Sequence, residues 1–99
     1  MSNHYSKNIK VRNRDGIHAR PSVKVVELAN EFPCDIFIIK DDLKVNGKSI
    51  LEVLTLAASY GTELTVEAIG KDAEKAVNEV ATMLSTEFEF PNQDTTTKK

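Results

Sequence analysis

The chain has 99 residues, 40% hydrophobic and 28% charged, which fits one compact domain sharing one core rather than several. Thirteen Lys and Arg against fifteen Asp and Glu give a formal net charge of −2, which argues against a protein built to coat nucleic acid. The single cysteine, Cys34, supplies neither an intramolecular disulfide nor a cysteine-rich zinc site. No apolar run approaches the roughly 18 residues of a membrane span, and no positive-then-apolar leader opens the chain, so a small soluble cytoplasmic domain is expected.

In chain order, Tyr5, Lys7, Ile9 and Val11 alternate with polar neighbours and predict a half-buried strand ending before Asn13. Asn13-Arg14-Asp15-Gly16 is turn-forming. From Pro21, the spacing of Val25, Leu28, Ala29 and Phe32 predicts a helix closed by Pro33, with Lys24, Glu27 and Glu31 on another face. Asp35–Lys40 reads as a well-buried strand, Asp41-Asp42 as a turn and Leu43–Val45 as a short third strand. After Asn46-Gly47 a second helix is predicted over Ile50–Ala58, stopped by Gly61. Leu64, Val66 and Ala68 mark a fourth strand, Asp72 is a candidate helix cap, and Ala73, Ala76, Val77, Val80 and Leu84 form the apolar stripe of a third helix. Three amphipathic helices over one face of a mostly antiparallel sheet make a two-layer α+β sandwich whose other face is wet. Residues 1–90 form the expected single domain, and 91–99, with no apolar side chain, a disordered polar tail.

Charge is unevenly distributed. Residues 1–24 carry six basic side chains and one acidic, while the remaining 75 carry seven basic and fourteen acidic. The basic third could steer an anion or acidic partner toward it, or serve as a solvated strand edge kept soluble by lysine and arginine.

Chemistry concentrates at Asp15-Gly-Ile-His-Ala-Arg-Pro-Ser22. First-turn amides of a helix lack intrahelical acceptors and, with the helix dipole, favour an anion placed before them, where His18 stands. Pro21 sits where its missing N–H costs nothing, which leaves the Ala19 and Arg20 amides free for a ligand. Arg20 adds a planar donor fork suited to phosphate oxygens. An imidazole with an ordinary pKa near ~6.5 is substantially neutral at physiological pH and offers one ring nitrogen as a nucleophile toward phosphorus. No metal cluster accompanies it, so the chemistry calls for no metal and no cofactor. His4 and Cys34 have no evident chemical partner.

Gly16-Ile-His-Ala-Arg-Pro-Ser22 closely resembles the phosphorylation-site motif of the histidine-containing phosphocarrier family, HPr, of the bacterial phosphoenolpyruvate-dependent sugar phosphotransferase system. Val45-Asn-Gly-Lys-Ser-Ile-Leu-Glu-Val-Leu-Thr-Leu-Ala-Ala58 resembles that family's second signature at the expected separation, and the resemblance spans about residues 5–88. It implies an open-faced sandwich with a four-stranded antiparallel sheet in the order 1-4-2-3 under three helices. It also implies a monomeric, non-enzymatic carrier whose His18 takes phosphate from phosphorylated enzyme I and passes it to IIA components of sugar permeases. Arg20 and the Ala19 amide would hold the phosphate, Ser49 would be the target of an HPr kinase/phosphorylase, and Ile50 and Leu51 would dock partners, a transcription regulator among them. Lys24 could join the basic rim or simply solvate its helix, and Ile50 and Leu51 have helical spacing equally suited to the core. Two departures stand out. Asp15 could orient the imidazole or repel bound phosphate. Glu52 stands where many relatives have glycine, and Ser49-Ile-Leu-Glu52 is a capping-box pattern that gives Ser49 a purely structural alternative. A second functional reading is a regulatory paralogue acting through protein binding, in a nitrogen-related relay or in transcription control.

Overall fold

The computed structural model describes residues 3–12 and 19–85, with the side chains of 19–21 excepted. The elements are β1 (His4–Lys10), α1 (Ala19–Ala29), β2 (Asp35–Lys40), β3 (Leu43–Asn46), α2 (Ile50–Leu54), β4 (Glu63–Ile69) and α3 (Ala73–Ser85). All strand pairs are antiparallel, in the order β1-β4-β2-β3. The sandwich and its strand order are therefore those expected.

Alternation decides what each strand offers the helices. Ile36 and Ile38 of β2, Val45 of β3, and Leu64, Val66 and Ala68 of β4 are buried, and Ile38 is paired with both Val45 and Val66. Val25, Val26 and Ala29 of α1, Val53 of α2, and Ala76, Val77, Val80, Ala81 and Leu84 of α3 complete the core. Lys7 falls between Tyr5 and Ile9 on the inward side of β1, and its stem carries the ammonium to within 3.4 Å of Asn78 Oδ1 on α3. That keeps the charge out of the apolar layer, as long lysine side chains allow. On the opposite, wet face, Glu67 of β4 sits between His4, whose Nε2 is 2.6 Å from Oε2, and Lys44, whose Nζ is 3.0 Å from Oε1. The Lys44 ammonium also lies 4.6 Å from the centroid of the Phe37 ring.

Three boundaries depart from expectation. The first helix starts at Ala19, two residues before Pro21, and ends at Ala29. Single-turn bonds from Glu31 N–H to Leu28 O and from Phe32 N–H to Ala29 O then carry the chain to Pro33. The second helix stops at Leu54 rather than Ala58, and Gly61 is not its stop signal. Beyond Leu54 the bonds tighten, Leu56 N–H to Val53 O and Ala57 N–H to Leu54 O, and Ala57 turns left-handed at φ 47°. Leu56 and Ala58 still point into the core, so the apolar spacing outlasts the helix that it suggests. Gly61, at φ 87°, instead shapes the turn into β4, where its N–H donates to Val11 O. Asp72 does precede α3, and its carbonyl accepts from Ala76 N–H, but its φ of 66° is not the extended geometry of a capping side chain. The expected tail, 91–99, lies outside the described residues.

Candidate phosphocarrier site

Ala19 and Arg20 form the start of α1. The first amides of a helix have no intrahelical acceptor, so those of Ala19 and Arg20 are the groups that an anion placed before α1 would meet. His18 and Asp15 themselves lie outside the described residues, and the Arg20 side chain is not described. Lys24 is exposed on the same helix.

A further residue of this turn is one that sequence alone does not distinguish. Ser22 is 0% exposed, and its Oγ has no hydrogen-bond partner among the described residues. A serine in a helix pattern reads as an ordinary polar position, so no sequence signal distinguishes a buried one. A buried hydroxyl without a partner is costly enough to require a reason.

The second cluster is the turn between β3 and α2, which packs beside α1. Gly47 N–H donates to Ile36 O at 2.7 Å, and a Cβ at Gly47 would stand 2.9 Å from Ile36 Cγ2, so only glycine lets the turn lie this close to β2. Asn46 organises the turn: its Oδ1 accepts from Lys48 N–H at 2.9 Å and its carbonyl from Ser49 N–H at 3.1 Å. Lys48 Nζ donates to Phe32 O at 2.6 Å, tying this turn to the one that follows α1. Ser49 is the N-cap of α2, with φ −115° and ψ 116°, and its Oγ accepts from Glu52 N–H at 3.3 Å. Half of the capping box is therefore formed. The other half is displaced, because Glu52 Oε1 accepts from Asn46 N–H at 2.8 Å rather than from Ser49 N–H.

Immediately beyond the cap, Ile50 is 40% exposed and Leu51 78% exposed. Val53, three residues after Ile50, is buried, so α2 directs one face inward and leaves this apolar pair in solvent. Val23 of α1 is also exposed. Core packing is thus excluded for Leu51, and the exposed pair is available as a contact surface.

The family model described as "PTS HPr component phosphorylation site" matches residues 5–86. The chain belongs to the HPr family. Among curated relatives, the HPr-like protein Crh of Bacillus subtilis is 42% identical over 79 residues, covering 80% of this chain and 93% of Crh. The phosphocarrier protein HPr of Treponema pallidum is 36% identical over 83 residues, covering 84% and 94% of the two chains. The crystal structure of HPr from Bacillus anthracis superposes with a TM-score of 0.79 at 38% identity, covering 82% of this chain and 96% of that one. HPr is the phosphocarrier family of the phosphotransferase system, whose phosphocarrier proteins are carriers rather than catalysts. No helix among the described residues is long and apolar enough to cross a membrane.

Proposed function

We propose that this HPr-family chain is a stoichiometric relay in the cytoplasm, acting from one domain over residues 1–90. His18 accepts a phosphoryl group from phosphorylated enzyme I and delivers it to IIA components of sugar permeases. The supporting observation is that α1 starts at Ala19, so the amides of Ala19 and Arg20 belong to a first helical turn directly after the histidine. In loading, a neutral ring nitrogen of His18 attacks phosphorus; the new N–P bond forms as the bond between phosphorus and its carrier group on enzyme I breaks, and that group departs with the electron pair. Delivery reverses the exchange on the acceptor, so the carrier undergoes no net change. The Ala19 and Arg20 amides and the Arg20 guanidinium stabilise the bound phosphate. Ile50 and Leu51 supply apolar docking area, and Lys24 adds positive charge at the rim. Ser49 is the regulatory phosphorylation position, read by an HPr kinase/phosphorylase and by a transcription regulator.

Incubation with enzyme I and phosphoenolpyruvate should place an acid-labile label on the wild type and none on His18→Ala. Equal labelling of the two would overturn the assignment. Transfer of that label to purified IIA proteins tests the second half of the relay. The 42% identity to an HPr-like protein, Crh, supports a second reading, a regulatory paralogue acting chiefly by binding other proteins. Efficient onward transfer to sugar-specific IIA proteins would exclude a purely regulatory role.

A further inference from the structure

The proposed regulatory site at Ser49 lies in a turn that already holds a negative charge, and the inference that follows rests on that reading. Six amides surround the turn. Those of Asn46, Gly47, Lys48, Ser49, Glu52 and Val53 are each engaged, by Glu52 Oε1, Ile36 O, Asn46 Oδ1, Asn46 O, Ser49 Oγ and Ser49 O. Glu52 thus closes a ring around Ser49: its own N–H holds the Ser49 hydroxyl and its carboxylate holds the amide at the other end of the turn. The two lysines of the segment leading into the turn are engaged elsewhere. Lys48 Nζ is bonded to Phe32 O, and Lys44 Nζ is paired with Glu67 across the sheet. A phosphate on Ser49 would therefore meet a fixed carboxylate three residues ahead, with neither lysine directed at it.

We infer that Glu52 is a resident anion that opposes phosphate on Ser49, making it the residue that sets how far this turn tolerates the modification. Like charges three residues apart on a helix disfavour one another modestly, and a phosphoserine carries nearly two charges at neutral pH. The expected coupling is about two- to fivefold in the folding equilibrium constant at low ionic strength, declining with added salt. Glu52→Gln keeps an oxygen acceptor for Asn46 N–H and removes only the charge. It therefore separates repulsion from positioning.

The test uses full-length protein with phosphoserine installed at position 49 by directed incorporation, beside the unmodified protein, each with Glu52 and with E52Q. Urea unfolding at pH 7.5 in low salt gives four folding constants. Phosphoserine should be two- to fivefold better tolerated in E52Q than in the wild type, and ³¹P titration should move the phosphate's second ionisation to lower pH in E52Q. A merely structural role for Glu52 would shift the modified and unmodified proteins equally and leave the ³¹P titration where it was; that result overturns the inference. Treatment of both proteins with a purified HPr kinase/phosphorylase tests the underlying reading separately. Failure to modify Ser49 in wild type and E52Q alike would count against regulation at Ser49, while the four-constant comparison would still decide the charge coupling.

Discussion

Replacing Ser22 by alanine should stabilise this protein, although the residue lies beside the proposed phosphate site. The argument begins from burial: the side chain is wholly inaccessible, on a helix packed against α2 and α3, and its Oγ lacks a partner among the described residues. Folding therefore removes the hydroxyl from water without returning a hydrogen bond from any described residue, a loss of about 1–3 kcal/mol for an unsatisfied buried polar group. Alanine also gains up to about 0.5 kcal/mol of helix propensity over serine. Against these stands a void the size of one oxygen atom, small because the β-carbon remains. The net expectation is a gain of about 1–2.5 kcal/mol. For a domain of this length that corresponds to a melting point raised by at least about 4 °C. Urea titration of the two proteins, fitted with a common slope, measures the difference directly. A Ser22→Ala protein no more stable than the wild type would show that the hydroxyl is satisfied and that the accounting is wrong. If the variant is more stable but takes up phosphate on His18 more slowly, the serine is an instance of stability yielded to function.

Leu51 and Leu56, both in the segment 50–58, should behave oppositely. Leu51→Ala, at an exposed position, should change stability by less than about 0.5 kcal/mol while slowing phosphate exchange with enzyme I. Leu56→Ala, only 1% exposed, should cost about 2–5 kcal/mol in denaturant titration. At Ala57 the left-handed backbone costs an L-residue about 1–2 kcal/mol, offset in a glycine variant by about 0.4–1 kcal/mol of unfolded-chain entropy. Ala57→Gly should accordingly be neutral or mildly stabilising, whereas Ala57→Val should lower the melting temperature, and a fully tolerated valine would contradict the assigned conformation. Glu67 is held below its ordinary carboxylate value of 4.5, first by its bond to His4 and then by Lys44, with burial opposing both. A lowered folded value means that the contribution is present above 4.5 and is lost as pH falls through the lower folded value. Wild type minus Glu67→Gln stability, measured from pH 7 to pH 2, should shrink across that acidic window, and a flat difference would refute the linkage.

Period-two alternation was a sufficient guide to the strands because one face of the sheet is covered and the other wet, so Leu64, Val66 and Ala68 had to differ from Thr65 and Glu67. Strand order was not legible in that pattern; it came with the family resemblance. Apolar spacing overstates the second helix for a definite reason. Leu56 and Ala58 occupy the core from tightened turns rather than from a continuing helix, and hydrophobic spacing does not record the bond that is missing. The same blindness applies to Ile50 and Leu51, whose spacing suits a buried stripe as well as a docking face. Their exposure is decided by where β3 and α1 place α2, which is a long-range fact.

That distinction between local and long-range information also divides the site. The proposed phosphate-accepting machinery is contiguous: histidine, first-turn amides, arginine and proline follow one another over 18–21, and the physics of a helix start assigns each its use without reference to the rest of the chain. The turn at Ser49 is different. Its serine cap was foreseeable from Ser49-Ile-Leu-Glu52, yet the glutamate reaches past the expected amide because Asn46 has already taken the Ser49 N–H with its own carbonyl. Asn46 is free to do so only because Gly47 allows the turn to lie against β2. The charge environment of Ser49 is thus fixed by a glycine's lack of a β-carbon and by a strand on the other side of the turn. A substitution that enlarges Gly47 should therefore release Glu52 from Asn46 and change the electrostatics at Ser49 without altering any charged residue.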